Sequence, residues 1–193
     1  MTAAIKRMTP DEYLARERLA ETKSEFVDGE LFSMAGATYP HNIVNENLSI
    51  AFGSRLRGSP CRSLSRDIRV RSESTRSYFY PDFVIVCGPP QLEDNDVLLN
   101  PTVIVEVLSP STEAYDRGRK FRHYQQIPSL KEYVLVTVNN AVIDRYVRQD
   151  SGTWTYYSLI GSASELRLDS IPVSIPLSEI YRDALTADEV EDS

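Results

Sequence analysis

The sequence predicts an α/β (α+β) fold, with strands and helices interleaved, a hairpin near the N-terminus and an antiparallel meander near the C-terminus. Three observations predict it. Two runs, one opening at Tyr80-Pro81-Asp82 and continuing through Val86, the other from Thr102 to Leu108, are almost continuously apolar and β-branched, as in strands buried on both faces. A segment starting at His41 and another following Pro110 carry helical spacing of their apolar residues. Turn signals at Asp28-Gly29, Asn139-Asn140 and Asp150-Ser151-Gly152 divide the remaining β-rich stretches.

Taken in order, the first element is a helix from Met8 to about Ala20. Thr9 caps it, Pro10 takes the first helical position, and Asp11 and Glu12 suit the positive end of the helix dipole. Ser24 to Met34 reads as a hairpin turning at Asp28-Gly29. That register sets Val27 opposite Glu30 and Glu25 opposite Phe32. Glu25, Val27, Glu30 and Phe32 then share one face, with Phe26 and Leu31 on the other. Gly36 to Pro40 is a loop. The helix from His41 to about Leu56 buries Val44, Leu48, Ala51 and Phe52, and Gly58-Ser59-Pro60 ends the segment.

Cys61 to Arg71 reads as one strand with partial alternation, and Ser72 to Ser77 as a polar loop. The acidic Glu93-Asp94-Asn95-Asp96 is a solvated connection that lacks the glycine and ligand spacing of a calcium loop. Pro110 forces a break after the Thr102–Leu108 strand, and Ser111 or Thr112 can cap the next helix. Glu132–Val138, Val142–Arg148 and Thr153–Leu159 form the meander. Its outer edge is open to strand pairing in a homodimer. Leu166-Arg167-Leu168 adds a short strand, and Leu177–Ala184 a last short helix. The chain therefore reads as one domain over residues 1–185 with a frayed acidic tail at 186–193.

Composition narrows the function classes. No apolar run approaches the ~20 residues that span a bilayer, and Met1 to Arg7 has no apolar leader, which implies a cytoplasmic protein. Cys61 and Cys87 show no metal-binding spacing and no disulfide framework, and Cys87 reads as plain core. A net charge of −7 disfavours a broad nucleic-acid surface. Even so, Arg55, Arg57, Arg62, Arg66, Arg69, Arg71 and Arg76 gather closely enough in sequence for a local basic face. There is no phosphate-binding P-loop pattern and no Gly-x-Ser-x-Gly elbow.

The chemistry concentrates in two carboxylates. Glu106 interrupts an otherwise apolar strand and shares a face with Ile104 and Leu108. A charge there costs several kcal/mol unless paired or bound to a metal. Asp82 opens the other apolar strand behind Pro81. Two hard oxygen ligands on such strands suit Mg²⁺ or Mn²⁺. On the helix after Pro110, Asp116, Lys120 and His123 fall on one face, with Arg117, Phe121 and Tyr124 on an adjacent stripe. If the first stripe meets the strand ends, Lys120 reaches the acids. Residue by residue, blander roles compete: Asp116 and Lys120 also suit a surface ion pair, and His41 a hydrogen-bonded helix start. His41 points roughly towards the sheet, where an imidazole can contact a phosphate or its water.

The order Pro81-Asp82, Glu106-Val107-Leu108-Ser109-Pro110-Ser111-Thr112, Asp116-Arg117, Lys120, Tyr124 and Glu132-Tyr133 resembles the restriction-endonuclease-like PD-(D/E)XK nuclease superfamily. Within it the match is to the bacterial Uma-two branch, and it extends to Glu25-Phe26-Val27-Asp28-Gly29-Glu30 and to His41, over roughly residues 8 to 182. The resemblance implies a restriction-endonuclease-like mixed sheet flanked by helices and a Mg²⁺-dependent endonuclease acting on DNA. Asp82 and Glu106 would hold the metal, helped by the Val107 backbone carbonyl. Glu25 would be an outer or second-metal ligand, His41 a contact to phosphate or its water, and Lys120 the catalytic lysine. In the superfamily that lysine stands two residues after the glutamate, where this chain has Leu108, so Lys120 represents a migrated position. The competing readings are a catalytically inactive nuclease fold serving as a DNA-binding or protein-interaction module, and a glycosidase-type pair formed by Asp82 and Glu106. Carboxyl separation distinguishes the last from a shared metal.

Overall fold

The computed structural model describes residues 8–34, 36–65 and 67–184, so Met1 to Arg7, Arg66 and the acidic run at 186–193 lie outside the described residues. Helix α1 (Pro10–Glu17) starts in a full capping box, with Thr9 and Glu12 exchanging side-chain and backbone hydrogen bonds. It ends before Ala20, and Leu19 beyond it is 87% exposed, with no apolar surface to hold another turn. Strands β1 (Ser24–Val27) and β2 (Glu30–Ser33) form the expected hairpin, in the expected register. Asp28 and Gly29 both adopt positive φ, 53° and 90°, as the two-residue turn requires. Helix α2 (Tyr39–Arg55) begins two residues earlier than expected because Thr38 is extended and Pro40 fits the first turn. Its stripe of Val44, Leu48, Ala51 and Phe52 is fully buried.

The Cys61–Arg71 segment is two strands, not one. β3 (Cys61–Ser65) and β4 (Arg69–Ser72) belong to different sheets. Next come β5 (Ser77–Phe79), β6 (Phe83–Cys87), and the short β7 (Leu92–Glu93) and β8 (Val97–Leu98). The acidic connection between β7 and β8 is therefore a small hairpin. Its Glu93 pairs with Arg71, and its Asp96 with Arg69 and Arg18. These pairs, with Arg55–Glu179 and Arg76–Asp11, neutralise much of the arginine-rich stretch that the sequence offered as a basic face.

β9 (Val103–Val107) leads into a helical segment with three parts: α3 (Glu113–Tyr115), a π-helical turn (Asp116–Lys120) and α4 (Phe121–Tyr124). Thr112 precedes it without a side-chain capping bond. The meander is β10 (Glu132–Val136), β11 (Val142–Arg148) and β12 (Trp154–Ile160). The Leu166 strand, β13 (Glu165–Leu168), pairs with a partner missed in the sequence, β14 (Val173–Pro176), whose prolines lie at its end or outside it. α5 (Leu177–Ile180) is the last helix.

One six-stranded sheet runs β2-β1-β5-β4-β8-β7 and the other β12-β11-β10-β9-β6-β3. In the second, β9 and β10 are parallel and the other neighbours antiparallel, so the sheet is mixed. Side-chain alternation gives it two buried faces. Val103, Val105, Val107, Val134 and Val136 pack with α2, β13, β14 and α5. Ile104, Leu108, Tyr133 and Leu135 pack with Phe121 and Tyr124 and with Val27, Val70 and Phe79 of the first sheet. α1 packs against Phe26 and Tyr78 on the far side of that first sheet.

The two cysteines correct another expectation. Cys61 and Cys87 are directly paired across β3 and β6 and form a disulfide. Their spacing in sequence carries no signal of this; the strand register brings them together. Among the described residues no helix is long and apolar enough to cross a membrane.

Candidate active site

The site lies where the two sheets and the π turn meet. The β6–β9 register pairs Phe83 with Val105 and Val84 with Ile104, so one step further sets Asp82 opposite Glu106. Opposite residues on antiparallel strands point to the same face. The face is the one that carries Val84, Ile104 and Leu108, against the helical segment. Leu108, at the position of the superfamily lysine, is buried core. Glu25 arrives from β1, next to Val27 on the inward face of its hairpin.

Lys120 projects from the π turn into this group. Its Nζ is 2.8 Å from Glu106 Oε1, 2.9 Å from Glu25 Oε1 and 3.6 Å from Asp116 Oδ1. A π turn widens the helix and shifts the stripe that follows it. His123, expected beside Lys120, instead contacts Thr75, Asp28 and the Phe79 ring. Tyr124 takes its place and donates to Glu106 Oε1 at 2.8 Å. Glu30 remains outside the group, exposed and near Arg119.

Each acid is oriented by named donors. Glu25 accepts the Tyr80 N–H on Oε1 at 3.1 Å and the Tyr115 hydroxyl on Oε2 at 3.1 Å. Asp82 Oδ2 accepts the Val107 N–H at 2.8 Å and lies 3.6 Å from His41 Nε2. Val107, read from sequence as a carbonyl ligand, is thus seen here holding Asp82 with its amide. His41 is in turn held at Nδ1, 2.9 Å from the Asn45 amide nitrogen one turn along α2. Glu106 Oε2 has only a long contact, 3.4 Å from the Asp82 N–H. Among the described residues nothing claims Asp82 Oδ1. Sequence reasoning missed Tyr115, Tyr124 and Asn45 as parts of the site; of these only Tyr124 stood in the resembling motif, and with no role attached.

The electrostatics follow from burial. Glu106 is 3% exposed and Lys120 4%. Burial pushes the Glu106 carboxyl well above its ordinary value; Lys120 offsets part of this, and Asp116, Asp82 and Glu25 raise it further. Asp116 is raised for the same reason, burial first. For Asp82 burial acts upward, but His41, the Val107 N–H and Lys120 outweigh it and hold the carboxyl below its usual range. Burial alone would lower Lys120, but Glu106 and Glu25 raise it well above its ordinary value. Three acids thus share one ammonium, and a fourth, Asp82, stands beside Glu106 and against His41.

That imbalance is the test of whether a cation fits. Among the described residues, no three acidic, histidine or cysteine groups already form a complete ligand cluster. Mg²⁺ does not need one, since it keeps several waters and commonly takes one or two carboxylates. Asp82 Oδ1 and Glu106 Oε2 are oxygens of the right kind, at opposite positions of neighbouring strands on one face, in a group with more acids than bases. The donor set fits a single hard divalent cation.

Comparisons with known proteins agree with the architecture. A family model described as Uma2, "putative restriction endonuclease", matches residues 10–178. The uncharacterized protein slr1290 of Synechocystis sp. (strain ATCC 27184 / PCC 6803 / Kazusa) is 36% identical over 181 residues, covering 94% of this chain and 95% of the relative. The uncharacterized protein sll1609 of the same organism is 33% identical over 175 residues, covering 90% and 99%. The crystal structure of a "putative nuclease" of the DUF820 group from Anabaena variabilis ATCC 29413 superposes with a TM-score of 0.73 at 14% identity. It covers 90% of this chain and 97% of that one, a likeness of fold.

Proposed function

The chain belongs to the Uma2 family, described as putative restriction endonucleases, and from that premise we propose that it is a Mg²⁺- or Mn²⁺-dependent endonuclease hydrolysing DNA phosphodiesters at Asp82 and Glu106. The observation that carries the reading is the excess of acids over bases, with Asp82 Oδ1 and Glu106 Oε2, the latter in only a long contact with the Asp82 N–H, as the oxygens offered to a cation. Bound there, the metal supplies Lewis-acid polarisation of the scissile phosphate and a water of lowered pKa.

The chain's own residues do the rest. Asp82 is held in place by the Val107 N–H, and the Val107 carbonyl completes the protein ligands in this reading. Lys120 orients Glu106 and sets positive charge beside the developing charge on phosphorus. Glu25 has both oxygens engaged, so it anchors Lys120 rather than acting as an outer ligand. His41 stands beside Asp82 with its side chain 12% exposed and serves as the proton carrier for the attacking water or the leaving oxygen.

One observation favours the inactive-module alternative: Leu108 fills the superfamily lysine position with core. Calorimetric titration of Mg²⁺ and Mn²⁺ into wild type and Glu106→Gln, followed by plasmid nicking with both proteins, separates the readings. Binding and nicking that both vanish in Glu106→Gln support the nuclease. Binding without nicking supports the inactive module. No binding at millimolar metal overturns the metal site.

A further inference from the structure

We propose that Tyr124, seconded by Tyr115, is a positioning residue: its hydroxyl fixes which oxygen of Glu106 meets Lys120 and thereby sets the divalent-cation affinity of the site. The proposal rests on the metal-site reading above and adds residues that the reading does not use.

Tyr124 is fully buried. Its ring makes edge contacts with Phe79 at 5.1 Å and Tyr133 at 5.4 Å, contacts that a phenylalanine would make equally well. The hydroxyl therefore does not serve packing. A buried hydroxyl is destabilising unless bonded, and this one is bonded to a single acceptor, Glu106 Oε1, at 2.8 Å. That same oxygen receives Lys120 at 2.8 Å. Two donors on Oε1 commit it to the protein and turn Oε2 towards Asp82. Without the hydroxyl, the carboxylate is free to rotate and Lys120 to bridge both oxygens, in the place a cation would use.

Tyr115 orients the second acid from its other oxygen. Its ring stacks on Phe32 at 5.7 Å and its hydroxyl holds Glu25 Oε2, which leaves Glu25 Oε1 to Lys120 and the Tyr80 N–H. Lys120 is thus held between two Oε1 atoms, one on each glutamate. Tyr133 is the internal contrast. It is equally buried, but its hydroxyl donates to the Asp116 backbone carbonyl and touches no carboxylate.

The test is calorimetric titration of Mn²⁺ into the full-length wild type, Tyr124→Phe, Tyr115→Phe and Tyr133→Phe, with the Tm of each recorded without metal. Tyr124→Phe is expected to weaken Mn²⁺ binding by about 10–100-fold, the usual effect of removing a group that orients a metal ligand. Tyr115→Phe is expected to weaken it less, and Tyr133→Phe not at all. A metal-free cycle of Tyr124→Phe with Glu106→Gln should give non-additive Tm shifts, because the hydroxyl acts through that carboxylate. Unchanged affinity in Tyr124→Phe, with wild type still binding, overturns the positioning role and leaves the nuclease reading standing. Equal losses in Tyr124→Phe and Tyr133→Phe overturn it too, in favour of general packing. A wild type that binds no Mn²⁺ overturns both readings together. If Tyr124→Phe does not fold, Tyr115→Phe, in α3 against the hairpin, decides: a weakened affinity supports the proposal and an unchanged one ends it.

Discussion

Two buried glutamates stand on opposite faces of the same sheet. Glu106 of β9 faces the π turn, while Glu132 of the neighbouring β10 faces the β13–β14 hairpin. Burial raises the carboxyl pKa of both. Their company differs. Glu132 accepts the Ser170 N–H at 2.7 Å and its hydroxyl at 2.5 Å, and Arg145 Nε lies 2.8 Å from its other oxygen, a charge contact rather than an aligned hydrogen bond. The same arginine reaches the Arg167 carbonyl and Asp169. Each buried charge there has its own counterpart, and the cluster ties the hairpin to the sheet. Glu106 shares one ammonium with two other acids and stands beside a fourth. A buried charge is therefore not in itself a sign of function. The unequal count of acids and bases is.

The largest expected effect tests the matched cluster. Glu132→Gln removes the buried partner of Arg145, leaving it only the exposed Asp169 and the Arg167 carbonyl, and should cost about 3–5 kcal/mol of stability in a denaturant melt. Mn²⁺ affinity should remain at the wild-type value, and a loss of binding would break the contrast between the faces. Next is Lys120→Met, which removes the ammonium from among the acids. Nicking should fall by about 100–1000-fold. Added Mn²⁺ should then raise the Tm by more than it raises the wild type's, because the acids lose their own cation. An equal or smaller shift would mean that lysine and metal do not share them.

A smaller effect appears in the pH dependence. The folded-state pKa of Glu132 lies above its ordinary value of 4.5, so the native state keeps a proton that the unfolded chain has released. That contribution to stability is complete below the ordinary value and is lost as pH rises through the raised one. Wild-type Tm should decline over that window, at ~2–4 °C per kcal/mol, and Glu132→Gln should remove this component of the slope. The smallest effect belongs to the surface. Arg76 and Asp11 are both largely exposed, and Arg76→Ala should shift stability by no more than ~0.5 kcal/mol.

Much of the site was legible because its residues violate local rules. Glu106 in an apolar strand is conspicuous, and a strand's alternation fixes the face it shares with Ile104 and Leu108. The Asp28-Gly29 turn fixed the hairpin register and so placed Glu25 on the inward face. Three things were hidden. The split between β3 and β4 depends on which sheet each half joins, and alternation reads the same in either. The exchange of His123 for Tyr124 depends on a π turn, which ideal helical spacing does not anticipate. The disulfide depends on β3 meeting β6 with Cys61 opposite Cys87.

The sequence by itself determined most of the strands, the N-terminal hairpin, the main helices and which of their faces are apolar, because these follow from periodicities of two and 3.6 residues and from turn chemistry along a few neighbouring positions. It also determined that Asp82, Glu106 and Lys120 needed explanation. Only the tertiary structure decided who meets whom. It matched Glu132 with Arg145, left Glu106 to share Lys120, and put a tyrosine hydroxyl on each of the two glutamates that Lys120 bridges. The physical reason is range. Secondary structure is written in contacts a few residues apart, whereas the balance of charge in a buried site is set by side chains that come close only after sheets and helices have packed.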